Sequence, residues 1–316
     1  MTNIEREDIQ IIGRHSNWSE KNIEIVLKKD VYNNKASWLK FIKILFISLG
    51  IGFTTAGVIF FFAYNWGDLH KFVKISLIEG LIIITTLIVV FSKISLNIKN
   101  IILTGTSMLV GVLFAVFGQI YQTGANAYDF FLGWTMAITI WAIISNFAPL
   151  WLLFITLINT TIILYTEQVA QDYSEISVLL LLFIINVVFL LFALFCKKNI
   201  KEIEPPIWFT NLIALVAVTF STIGICNGVF EKQQTNFILL IIITSIIYAI
   251  GVKYGLKVKS GFYLSIIPFS IIIITSSFLI KLSNDASMFL LISLFVVSSI
   301  TLVIKTLINL QKKWRN

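Results

Sequence analysis

Ten apolar runs, most of them 17–21 residues long and nearly free of charge, fill the chain from residue 44 to residue 304. A helix rises about 1.5 Å per residue, so about 20 apolar residues cross the ~30 Å hydrocarbon core of a bilayer. Inside lipid the backbone must satisfy its own hydrogen bonds, which leaves helices or closed barrels. Barrel strands alternate apolar and polar residues, and these runs do not. The composition agrees: 58% of residues are hydrophobic and 13% are charged, about half the charge of a soluble domain. The fold class expected is therefore all-α, a polytopic transmembrane helical bundle of about ten spans.

The spans are predicted at 44–64, 73–91, 101–118, 130–147, 149–165, 176–195, 207–226, 236–252, 262–280 and 287–304. Only Ala148 separates the fourth from the fifth, and Pro149 opens the fifth. Proline is tolerated in the first helical turn and Asn146 suits a turn, so a tight helical hairpin is expected, with one long kinked helix as the rival. Charge separates the two readings. With ten spans, 20 of the 24 lysines and arginines fall on the side of the N-terminus, whereas merging the pair leaves 12 on each side. The positive-inside rule then predicts both termini in the cytoplasm. The pI of about 9.4 follows from these basic loops. It calls for anionic headgroups as neighbours and not for nucleic acid.

Three segments result: a cytoplasmic N-terminal helical segment (1–43), a transmembrane domain (44–304) and a basic cytoplasmic tail (305–316). In the first, Ile4, Ile9 and Ile12 suggest a short helix ending at Gly13. Asn17 or Ser19 is the expected cap of a second helix carrying Ile23, Val26, Leu27 and Val31. Lys28, Lys29, Lys35, Lys40 and Lys43 would meet headgroups, with Trp38 as an interfacial anchor. The segment reads as a tether for the first span, or as a docking module for a protein partner. No cleavable signal peptide is expected, because the first 43 residues are polar and the first apolar run is long. Cys196 and Cys226 fall near opposite faces and cannot pair.

Polar groups within or beside the spans are the candidates for function. The segment Gly118–Asp129 has no basic residue and carries Gln119, Tyr121, Gln122, Asn126 and Asp129. Amides, phenols and a carboxylate suit a ligand bearing hydroxyls or amides, or a cation. The alternative is a well-capped outer turn. Glu79 lies six residues into the second span. It can snorkel or pair with Lys71 or Lys74, or it can face the bundle with a raised pKa and couple protons. Asp68, Asp129, Glu167 and Asp172 would form an acidic outer mouth, or only a solvated rim. Asn159, Asn186 and Asn211 are read as interhelix amides, and Ser48, Gly52 and Ala56 as a close-packing stripe.

Several chemistries lack their residues. Two histidines exclude His-rich metal sites, and neither a phosphate loop nor a dinucleotide fingerprint is present, so no cofactor is expected. No serine or cysteine has a histidine partner placed for nucleophilic catalysis. Three functional classes remain. The first is a carrier or small-ligand or cation-binding protein with an outer polar site at Glu79, Gln119, Tyr121, Gln122, Asn126, Asp129 and Glu167. The second is a scaffold or sensor coupling the outer loop to the cytoplasmic helices. The third is a membrane enzyme acting on lipid or cell-wall precursors.

Phe61-Phe62-Ala63-Tyr64-Asn65-Trp66 with Leu69 and Lys71, then Gly118–Ala125 with Tyr128, Phe131, Leu132 and Trp134, resembles a known family. It is the bacterial membrane-protein family catalogued as domain of unknown function 2157. The resemblance spans about residues 1–170, including Leu164–Gln168. It implies an integral protein of the bacterial inner membrane. It implies no activity, cofactor or catalytic residue.

Overall fold

A computed structural model describes residues 6–16, 18–31, 35–64, 67, 69–121, 124–199, 205–231, 236–282 and 286–315. Among these, all regular structure is helical, and ten helices are long and apolar enough to span a membrane. The chain forms two compact units, Met1–Leu113 and Phe114–Asn316.

The first unit opens with α1 (Arg6–His15) and α2 (Glu20–Val26), which runs on as a π-helical turn to Val31. Ser19 caps α2: the Asn22 N–H donates to Ser19 Oγ at 3.4 Å. Asn17, the other expected cap, lies outside the described residues. Gly13 does not break α1, which continues to His15. It lets α2 approach instead, since a Cβ there would lie 2.8 Å from Ile23 Cδ1. Ile9 and Leu27 are the buried apolar residues of this pair. On its exposed face, Lys28 Nζ sits 2.7 Å from Glu24 and holds that carboxyl below the usual carboxylate range.

The first spanning helix, α3 (Lys35–Tyr64), starts nine residues before the apolar run begins. Lysine is a good helix former with a long stem, so Lys35, Lys40 and Lys43 extend the helix and stay exposed. It is followed by α4 (Lys71–Phe91), which buries Lys74 and Ile78 one turn apart. Then comes α5 (Leu96–Tyr121), whose residues 96–113 belong to this unit. A Cβ on Gly105 of α5 would collide with Ile51 Cγ2 of α3, so the two backbones meet there. The buried hydroxyls of Thr106 and Ser107 are satisfied locally, donating to the carbonyls of Ile102 and Leu103 at 3.0 and 2.9 Å.

The second unit contains the end of α5 and seven further helices. These are α6 (Ala127–Ser145), α7 (Ala148–Gln168), α8 (Glu175–Asn199), α9 (Ile207–Phe230), α10 (Phe237–Lys257), α11 (Gly261–Leu282) and α12 (Ala286–Arg315). The expected hairpin between α6 and α7 is present. Asn146 turns the chain with φ 45° and ψ 40°, and Pro149 occupies the first turn of α7. The core lies between α8, α9 and α10: Ile176, Leu180, Phe183 and Val187 meet Ala217, Ile225, Val229, Phe237 and Leu240.

Two glycines make that core close. A Cβ on Gly224 would lie 2.8 Å from Leu240 and 3.2 Å from Leu179, and one on Gly228 would overlap the Phe237 ring. This is the small-residue spacing of four that membrane helices use in place of a hydrophobic driving force. The stripe expected in α3 does not act this way: nothing lies within 4 Å of a Cβ built on Gly52.

Polar contacts fix the helices in register. Asn159 and Asn186 exchange amide hydrogen bonds at 3.2 and 2.9 Å, and Asn186 also donates to the Leu182 carbonyl. Farther on, the Tyr248 hydroxyl sits 2.9 Å from Ser221 Oγ and 2.6 Å from Ser270 Oγ, which in turn is 2.6 Å from Thr222 Oγ1. This cluster joins α9, α10 and α11 two residues past Pro268, where α11 lacks one backbone donor.

Candidate functional site

The segment singled out in the sequence folds as the end of α5, a short loop and the start of α6, all within the second unit. It encloses a groove of about 610 Å³ lined by Phe114, Ala115, Phe117, Gly118 and Gln119 of α5, Gly124, Ala125 and Asn126 of the loop, and Ala127, Asp129 and Phe130 of α6. Gly124 takes φ +65°, a conformation that strains residues with a Cβ.

Asp129 is the third residue of α6 and its carboxylate closes a capping box: the Asn126 N–H donates to Asp129 Oδ2 at 3.1 Å. Asp129 also places negative charge at a helix N-terminus, where it is favoured. The Tyr128 hydroxyl also bonds this carboxylate, and two such bonds still leave it acceptor capacity for a ligand. Aromatic rings form the rest of the wall. Phe114 meets Phe130 edge-on at 6.5 Å, and Phe117 lies 4.5 Å from Tyr121.

The start of α6 is tied to the end of α7 by a residue outside the expected site. Gln168, the last residue of α7, accepts a hydrogen bond at its Oε1 from the Tyr128 N–H at 3.1 Å. Tyr128 and Tyr165 pack edge-on at 5.2 Å beside it. Its signal is the Glu167-Gln168 pair, of which charge arguments single out only the carboxylate, since charge near a membrane is costly. Facing is set by helical phase: Glu167 is exposed and Gln168 turns inward.

The candidates are thus partly gathered. Gln119, Asn126 and Asp129 line one groove, and Tyr121 is exposed beside Phe117. Glu167 is on the outer surface of α7, and Gln122 lies outside the described residues, as does Asp68. Glu79 belongs to the first unit. It is exposed, off the α4 face that buries Lys74 and Ile78.

Other polar ties mark the same ends of the neighbouring helices. Asn227 donates to Glu175 Oε1 at 2.8 Å, and Asn236 to Ser177 Oγ at 2.9 Å. Among the described residues, no group of three or more His, Cys, Asp or Glu side chains could hold a metal.

The family described as Predicted membrane protein (DUF2157) matches residues 27–151. That stretch runs from the end of α2 through α3, α4, α5 and α6 to the start of α7, so it contains the groove. The match is narrower than the expected resemblance over residues 1–170. No curated protein and no solved structure matches the chain.

Proposed function

We propose that this membrane protein binds a small polar or cationic solute in the groove between α5 and α6, as a carrier or solute-binding protein. The observation that carries the reading is the composition of the groove. Gln119, Asn126 and Asp129 share it with Phe114, Phe117 and Phe130, and among the described residues no basic side chain lines it. Amide oxygens and a carboxylate coordinate or hydrogen-bond a cation, and aromatic faces attract one. The volume falls within the ~300–1,000 Å³ of small-molecule pockets. Under the positive-inside rule this end of the helices would face outside the cell, where a solute is first met.

The test is a thermal-shift titration of the purified protein with alkali and alkaline-earth cations, small amines and polyols, followed by uptake into proteoliposomes. Stabilisation by one class that Asp129→Asn abolishes supports the reading. Equal responses from wild type and variant across the panel overturn it. Uptake into proteoliposomes then separates a carrier from a binder.

A second reading rests on the N-terminal pair. Ile11, Ile12 and Ile25 are exposed although Ile9 and Leu27 are buried, which suits a sensor or scaffold whose α1–α2 pair docks on a protein partner. Crosslinking of the full chain in membranes that captures no protein through residues 11–25 removes it.

A further inference from the structure

A second groove lies in the other half of the second unit, between α10 and α11. It has a volume of about 640 Å³, walls that include Ile241, Ala249 and Lys253 on one side and Ile271 and Phe278 on the other, and Ile225 of α9 at its floor. We propose that it binds one anionic glycerophospholipid, with an acyl chain lying along the groove and the phosphate held by Lys253.

Length supports that occupant. From Ile241 to Lys253 the α10 wall rises about 18 Å at ~1.5 Å per residue. One leaflet of a ~30 Å core is about 15 Å deep. From Lys253, four residues short of the α10 C-terminus, the groove runs inward past the helix midpoint at Ile247, deep enough to hold one acyl chain.

Charge supports it independently. Lys253 lines the groove, Lys257 follows one turn later on the same helix face, and Lys259 lies in the loop. Residues 236–282 contain no aspartate or glutamate. The α10 C-terminus contributes about half a negative charge, which three lysines outweigh. Lys253 is exposed and sits four residues from the end of α10, so its stem can lie along the groove while its ammonium reaches the headgroup layer.

The wall is also fixed. Tyr248 lines the groove, and its hydroxyl is held on the far side by Ser221 and Ser270. The ring cannot swing in to fill the space. A persistent concave apolar surface with a cation at its mouth retains a lipid that flat helix faces exchange freely.

The experiment titrates purified full-length protein with phosphatidylglycerol and, in parallel, phosphatidylcholine. It reads thermal stability and, by native mass spectrometry, lipid retained on the protein. Expected are a lower midpoint for phosphatidylglycerol, a roughly fivefold weakening in Lys253→Gln, and recovery in Lys253→Arg. Lys312→Gln/Lys313→Gln should leave the midpoint unchanged, and Ala249→Phe should remove the retained lipid by filling the groove. Equal midpoints for the two lipids overturn the proposal, as does a wild-type midpoint in Lys253→Gln. So does an equal loss in the tail variant, which would mean general charge attraction. If Ala249→Phe does not fold, the Lys253 pair decides alone.

Discussion

Asn186 is completely buried, and its amide nitrogen donates to Asn159 Oδ1 and to the Leu182 carbonyl, which uses both hydrogens. Removing one partner strands the other in a low-dielectric interior, a cost of about 1–3 kcal/mol. Removing both leaves no unpaired group. Asn186→Leu is therefore expected to lower stability by about 1–2 kcal/mol, and Asn159→Leu/Asn186→Leu to recover most of it. Unfolding of the purified protein in a denaturing detergent titration reads both; a double variant worse than the single one refutes the coupling. Asp129 gives a second separation. Asp129→Ala loses the acceptor for the Asn126 N–H and should cost about 1 kcal/mol. Asp129→Asn keeps an acceptor and should cost little, while losing any cation-dependent stabilisation. The same detergent titration, with and without the stabilising solute, distinguishes the cap from the charge. Both asparagines and Asp129 were legible in the sequence as polar residues in apolar surroundings. The contribution of Gln168 was not, because which of two adjacent residues faces inward depends on helical phase against a partner forty residues away.

At the level of helices, hydropathy located all ten spans, since every helix long enough to span the membrane coincides with an apolar run. It missed their ends. The helix α5 extends from Leu96 to Tyr121 around an apolar run of 101–118, and α12 continues to Arg315. Membrane burial selects apolar residues, but lysine, glutamine and leucine continue a helix into water equally well. Packing was also misassigned. Small residues alone mark several faces, and only tertiary contact selects Gly105, Gly224 and Gly228 over Gly52. Gly228→Ala is expected to force the Phe237 ring and cost about 1–3 kcal/mol. Gly52→Ala, with open space around it, should be neutral or stabilise by up to about 1 kcal/mol through helix propensity. Thermal unfolding of the two variants side by side tests this, and equal losses would deny that α9 is the close-packed helix. The hairpin turn is local enough to have been read from Asn146 and Pro149. Its left-handed φ predicts that Asn146→Gly is tolerated and that Asn146→Val loses about 1 kcal/mol or more, measurable in the same assay.

For the whole molecule, the separation of α6 from α7 matters most, because it sets the parity of everything after residue 148. If all ten candidate helices cross, both termini fall on one side, and only that parity brings 20 of the 24 lysines and arginines together. The broken helix and the charge asymmetry are independent features, one of backbone geometry and one of composition, and they agree. Eight apolar side chains of α12, from Phe289 to Ile308, are exposed, and α3 and α4 carry many more, as lipid contact permits. Cys196 and Cys226 are free thiols, so replacing both gives a background for single-cysteine mapping. An impermeant thiol reagent applied to intact cells should label Ala125→Cys, in the α5–α6 loop, and should leave Ser260→Cys and Lys313→Cys unlabelled until the membrane is opened. Labelling of Ser260→Cys and Lys313→Cys from outside, with Ala125→Cys protected, would invert the orientation and move the groove of Asp129 to the cytoplasmic face. Labelling of Ala125→Cys and Ser260→Cys from the same side would break the alternation itself, and with it the role of Asn146 as the turn between two spans.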